Sequence, residues 1–258
     1  MAAITTVQGL LSRISNQYDK TVNIYLDNAT TRTTTVNAQS YIVTAPRIGY
    51  IKSVPSSLET GVTAYIPTEL NVTSSTGMPA MFCEMVDMGS LNLGTNTFTD
   101  GSAAPTRTYL GTSRSLPMQL WIECTTAANA TPGNVTFTYV DQDNNTAEAS
   151  TSQAVTASAT RGSGSFGTLN STDWGVLDIT AASQSGGSSP TGVLKFWGLI
   201  PISYFFISVN NIVSTVDIFP ENGNFTRLGS SSQLGLISVN TNTASSAYGF
   251  IRMVGDQA

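Results

Sequence analysis

Two acidic residues on apolar runs are the first candidates for chemistry. Glu84 stands in "AMFCEMV" and Glu123 in "LWIECTT", beside Phe82 and Trp121. Two carboxylates can cleave a glycosidic bond without histidine, one acting as acid and the other as base or nucleophile. That reading needs both side chains on one face of paired strands. The plainer reading points each acid outward while its neighbours fill the core. Asp87 has the opposite parity to Glu84 and would face the other way. The spacing matches no glycosidase signature, so no catalytic residue is expected.

A second acidic group lies in "VTFTYVDQDNNTAEAS", where Asp141, Asp143 and Asn145 alternate ahead of Glu148. A helix-loop-helix calcium site needs Gly at the sixth position and a bidentate Glu at the twelfth. Counted from Asp141 these are Thr146 and Ser152. Val135, Phe137 and Tyr139 alternate with threonines, which is strand spacing, and Asp and Asn suit turns. The stretch therefore reads as a hairpin tip, and no metal site is expected.

"GSGSFG", Gly162 to Gly167, matches a dinucleotide-binding glycine pattern. That reading requires a helix opening on the glycines and an acidic residue about 20 positions later. "TLNSTDWGVLD" follows, which is not helical, so the match reads as chance and no cofactor is expected.

Histidine is absent from the 258 residues. This removes Ser-His-Asp and Cys-His catalysis, histidine-ligated metals and histidine pH switching. No Ser stands three residues before Lys20, Lys52 or Lys195, so a Ser-Lys pair is unsupported as well. Cys83 and Cys124 form no C-x-x-C and lie in apolar runs. They read as buried free thiols, with one inter-strand disulfide as the alternative. The chain is expected not to be an enzyme.

The elements that must carry these residues are strands. Short runs such as "VNIYL", "RIGYIKSV", "VTAYIPTEL", "NVTFTYV", "WGVLDIT" and "YGFIRMV" are separated by Gly, Pro, Asn and Ser clusters. This pattern predicts an all-β fold, an antiparallel β-sandwich or jelly roll. The most apolar stretch, "VLKFWGLIPISYFFISVNNIV", reads as two buried strands broken at Pro201, not as a membrane span. Helical spacing appears once, in Ile4, Val7, Leu10, Leu11, Ile14 and Tyr18. The expected organisation is an N-terminal helical arm, 1–20, and one large β-domain, 21–258, with a possible weak boundary near 71–77.

Charged residues are only 10% of the chain and the net charge is −5. Ser and Thr supply roughly a quarter. With no basic stripe, nucleic-acid binding is not expected. The N-terminus lacks a basic start followed by a continuous apolar run, so no secretory signal is read there.

The run "GNVTFTYVDQDNNTAEAS", the Ser/Thr/Ala/Gly-rich linkers and the low charge resemble β-rich structural proteins of tailed-bacteriophage virions, most of all capsid decoration, or cement, proteins. The resemblance implies a symmetric, trimeric β-module without an active site, made in the host cytoplasm and fixed to the virion. Its implied partners are its own copies and a major capsid or tail protein. Within that reading the arm stripe Val7, Leu10, Leu11 and Ile14 is the expected partner-binding surface. The alternative is a carbohydrate-recognising β-sandwich, either a receptor-binding module or a two-carboxylate glycosidase. A sugar site predicts an exposed Trp or Tyr beside unpaired carboxylates, whereas a structural part predicts aromatics buried in the core or at subunit contacts.

Overall fold

The computed structural model describes residues 6, 8–11, 19–26, 38–40, 47–51, 64–74, 77–109, 112–128, 133–155, 164–208, 213–217, 228–229, 233–238 and 247–256. Nearly all of these lie in strands or their connections. The helical residues among them are 8–11. Thr6 starts that turn: its Oγ1 accepts from the Gly9 N–H at 3.0 Å and its carbonyl from the Leu10 N–H at 3.0 Å. This is N-cap geometry. Asp19 and Lys20, the end of the expected arm, are strand residues and not helix; the rest of the arm lies outside the described residues, and no described helix is long and apolar enough to cross a membrane.

In chain order the strands begin with β1 (Asp19–Leu26), β2 (Ala38–Ser40), β3 (Arg47–Ile51), β4 (Ala64–Ser74), β5 (Met78–Asn92) and β6 (Thr97–Asp100). There follow β7 (Thr106–Tyr109), β8 (Thr112–Ser115), β9 (Gln119–Thr126), β10 (Asn134–Asp141), β11 (Glu148–Ala149), β12 (Gln153–Ala154) and β13 (Gly164–Phe166). The last are β14 (Val176–Ser185), β15 (Val193–Ile207), β16 (Ser214–Asp217), β17 (Leu228–Gly229), β18 (Gln233–Ser238) and β19 (Ala247–Asp256). The fold class is all-β and antiparallel, as the alternating apolar runs require.

The chain divides into two compact units, 1–84 with 201–258, and 85–200. The expected weak boundary near 71–77 lies instead within and just after β4, and the division falls inside β5 and β15. No polar linker marks either crossing, because each is a continuous strand. Pro201 stands at one of them. The sequence places a break between two strands there, but β15 runs through it, and the residue marks the passage from one unit to the other.

In the unit of 1–84 and 201–258, neighbouring strands run in the order β18, β3, β2, β1, β19, β4, β16, with β17 also on β4. The pairs are antiparallel except β1 with β2, which is parallel. The β19–β4 register runs from Ala247 opposite Ser74 to Asp256 opposite Ala64, with one shift between Arg252 and Met253. Ile66, Leu70 and Val72 of β4 are buried.

The unit of 85–200 is a two-sheet sandwich. One sheet carries β13, β9, β15, β5 and β6; the other carries β14, β10, β11 and β12. The core between them takes Leu120, Ile122 and Cys124 from β9, Leu194 and Phe196 from β15, and Val135, Phe137 and Tyr139 from β10. Each set has period two, so one face of each strand faces inward. Phe196 is the centre, with ring centroids 5.8 Å from Phe137 and 5.9 Å from Phe98 at steep interplanar angles. Such edge-to-face contacts add to area burial, and losing a core Phe typically costs about 3–5 kcal/mol.

Candidate functional site

Strand β9 is buried on both faces, so the face away from the core is as informative as the core. Register sets the pairs there: Trp121 lies opposite Trp197, and Glu123 opposite Lys195, across β9–β15. On the other flank Phe166 lies opposite Trp121 and Gly164 opposite Glu123, across β13–β9. The result is an aromatic row, Phe166–Trp121–Trp197, beside a charged row, Glu123–Lys195. Phe166 meets Trp121 edge-on at 5.2 Å. Trp197 Nε1 donates to Glu123 Oε2 at 2.9 Å. Lys195 forms an ion pair with Asp87 and lies 5.2 Å from the Trp197 ring centroid.

Gly164 is required here for space. A Cβ on it would stand 2.5 Å from the Ile122 carbonyl oxygen and 2.6 Å from Trp121 Nε1. Trp121 Nε1 itself is buried and meets no hydrogen-bond acceptor among the described residues. Of the glycine pattern at 162–167, Gly162 lies outside the described residues and residues 164–166 form a strand.

Both candidate acids are buried. Glu123 is 0% exposed and Glu84 is 4% exposed. Glu123 stands on the face of β9 away from the core residues Ile122 and Cys124, as strand alternation allows, yet that face is covered as well. With both faces covered, alternation does not sort polar from apolar. A hydrolase acid must reach substrate and water. Glu123 is fully buried and accepts from the Trp197 indole N–H.

The Asp141 segment is a hairpin tip, with Tyr139 opposite Glu148 and Thr138 opposite Ala149. One carboxylate organises the turn. Asp141 Oδ1 accepts from the Asp143 N–H at 2.9 Å and the Asn145 N–H at 2.7 Å; Oδ2 accepts from Asn145 Nδ2 at 2.8 Å. Burial pushes its carboxyl up, but these three bonds outweigh it and the net shift is downward. Among the described residues no group of His, Cys, Asp and Glu is arranged to hold a metal ion.

Beside this turn stands a corner built on Tyr139. Its hydroxyl donates to Asp173 Oδ2 at 2.5 Å and accepts from the Asn170 N–H at 2.9 Å. Burial first, and then the Asp173 carboxylate, push the phenol up to about 12. Gln142 Oε1 accepts from the N–H groups of Trp174 at 3.2 Å and Gly175 at 3.4 Å, while Gln142 Nε2 donates to Asp143. Val176 and Met118 exchange both backbone hydrogen bonds at 2.9 Å, closing the end of the loop. Trp174 is left 68% exposed, unlike Trp121 and Trp197, which are buried. The run "WGVLDIT" suggests a strand from Trp174, yet β14 begins at Val176. The readable signal is "NSTD" before the tryptophan and Gly175 after it, all turn formers.

Cys83 and Cys124 are free and buried, and burial pushes both thiols up. Of the expected partner-binding stripe, Leu10 is buried within its own chain and Leu11 is 44% exposed. Val7 and Ile14 lie outside the described residues. A further apolar feature, missed in the sequence, is on β15. Tyr204 and Phe206 are 63% and 60% exposed on one face, while Ile207 on the other face is buried, and Val213 nearby in sequence is 57% exposed.

No family model matches the chain, and neither does any curated protein. Several solved structures of viral proteins align with it. VP1 of Human Polyomavirus 6, solved as a pentamer, aligns over 100% of both chains with 12% identity and a TM-score of 0.29. VP1 of Trichodysplasia spinulosa-associated polyomavirus aligns over 100% of both chains with 10% identity and a TM-score of 0.24. A structure of infectious bursal disease virus, Gx strain, aligns over 93% of this chain and 81% of that one with 11% identity and a TM-score of 0.19. Scores of this size do not mark a shared fold.

Proposed function

We propose that this chain is a structural component of a virion, a capsid decoration or auxiliary protein that self-associates, binds a major capsid or tail protein, and performs no catalysis. The observation that carries the reading is the apolar face on the carboxyl half of β15. An isolated exposed apolar residue is ordinary, but Tyr204 and Phe206 at alternate positions make a two-ring patch. At about 200 Å² per aromatic side chain and some three-fifths exposed, the pair offers roughly 240 Å². That is the size of an anchor within a standard interface of about 1,600 Å², and aromatic anchors dominate such interfaces. A surface with few charges and many hydroxyls places little desolvation cost on the contact around it. Decoration of a tailed-phage capsid and trimeric assembly rest on the compositional resemblance. The arm contributes through Leu11, since Leu10 is covered by its own chain.

The test is mass by light scattering, together with cosedimentation with purified particles. The wild type is expected well above the 27.2 kDa of one chain. Phe206→Ser, alone or with Tyr204→Ser, should lower the mass while leaving the circular dichroism spectrum β-rich. Deleting residues 1–20 should weaken the hold on particles and leave the strands folded. A monomeric wild type that ignores particles overturns the proposal.

A further inference from the structure

We infer that the corner formed by the loop 170–175 and the hairpin tip 141–147 is a binding site for a neutral saccharide, with Trp174 as its stacking platform. This goes beyond the structural role and does not depend on it.

The first argument is exposure against rigidity. Trp174 is the most exposed of the large hydrophobic residues described, at 68%. An aromatic on a loose loop would fold back onto apolar surface. The backbone that carries this one is fixed from several sides. Its own N–H and that of Gly175 are bound to Gln142. Asp173, just before it, accepts from the buried Tyr139 hydroxyl and its N–H donates to the Asn170 carbonyl at 3.0 Å. Gly175 lies against Pro117, where a Cβ would come within 2.9 Å of the proline Cβ. The adjoining hairpin tip is fixed by the three bonds to Asp141. A platform fixed in this way loses little conformational freedom when it binds.

The second argument is chemical. These two loops carry Asn170, Ser171, Thr172, Gln142, Asp143 and Asn145, which supply hydroxyls, amides and one exposed carboxylate. Gln142 links Asp143 directly to the backbone of Trp174. An apolar plane with a rim of acceptors and amides matches a pyranose, which has a C–H face and equatorial hydroxyls. A protein partner would call for a contiguous apolar patch, and Ala147 is the one other apolar residue on these loops. The charged residues of the two loops, Asp141, Asp143 and Asp173, are all carboxylates, so an acidic sugar is disfavoured and a neutral one fits.

The probes are lactose, maltose, cellobiose and N,N′-diacetylchitobiose, each titrated into the full chain with tryptophan emission and saturation-transfer NMR as readouts. Trp121 and Trp197 are buried, so solvent-sensitive emission comes mainly from Trp174. At least one probe is expected to bind saturably with a dissociation constant in roughly the millimolar range. Trp174→Ala should abolish the transfer signal, and Asp143→Ala should weaken binding by about tenfold, or ~1.4 kcal/mol. N-acetylneuraminic acid should bind no better than the neutral probes. Absence of saturable binding by all four probes overturns the inference. So does a Trp174→Ala variant that keeps sugar binding, or one that instead lowers the assembly mass, which would make the indole a protein contact. The mass measurement on Phe206→Ser reads the structural role separately.

Discussion

Replacing Tyr139 by Phe removes one oxygen atom and tests the corner quantitatively. The hydroxyl makes two hydrogen bonds, one of them to the Asp173 carboxylate at 2.5 Å. Net values are about 1.5–3 kcal/mol for a bond to a charged group and 0.5–1.5 kcal/mol for a neutral one. Asp173 and Asn170 are partly or fully accessible and recover some bonding to water, so a loss of ~2 kcal/mol at pH 8 is expected. The pH dependence is sharper. The folded phenol is raised from 10 to about 12. A raised pKa means the folded state holds the proton more tightly, so this stabilisation is complete below pH ~10 and is lost as pH rises through 12. At pH 11, between the two values, the wild type should have lost part of this stabilisation. The Tyr139→Phe variant has no such proton, so the stability gap between the two proteins should narrow between pH 8 and pH 11. All three tryptophans lie in the unit of 85–200, so urea unfolding followed by tryptophan emission reports the unit that holds Tyr139. An equal gap at both pH values, or a Tyr139→Phe variant as stable as wild type at pH 8, would refute the account of the corner.

Three further outcomes are expected. Gly164→Ala should lower the urea midpoint by the equivalent of ~1–3 kcal/mol, because its methyl would stand 2.5 Å from a fixed carbonyl oxygen; an unchanged midpoint would show that β13 gives way freely. Cys83 and Cys124 should react with a disulfide reagent at pH 8 only after unfolding, since burial holds both as thiols; stoichiometric labelling of the folded chain would contradict their placement. The stability advantage of wild type over Asp141→Ala should be present above pH ~4 and disappear as pH falls through the lowered folded pKa, with no effect of a chelator on the melting temperature; a chelator-dependent shift that Asp141→Ala abolishes would reverse the structural reading of the turn.

Period-two alternation in "NVTFTYV" was enough to place Val135, Phe137 and Tyr139 on one face, and they fill the core of the sandwich. The failed calcium spacing and the run "DQDNN" were enough to make a hairpin tip, because turn formation is local and Asp141 satisfies it within four residues. The all-β class followed from composition and breakers for the same reason: strand and turn preferences act over a few residues. Alternation does not tell a covered face from an open one, however, so the burial of Glu84 and Glu123 was not legible. Pro201 looked like a break because a missing N–H is a local defect, whereas continuity of β15 depends on where its neighbours need that donor. Nor does the sequence distinguish an indole that is buried, as in Trp121 and Trp197, from one held in water, as in Trp174. That difference was decided by hydrogen bonds from Gln142 and Tyr139, more than 30 residues earlier in the chain. Local preference therefore determined the elements and the turns, and long-range pairing decided which polar groups were enclosed and which aromatic was presented to solvent.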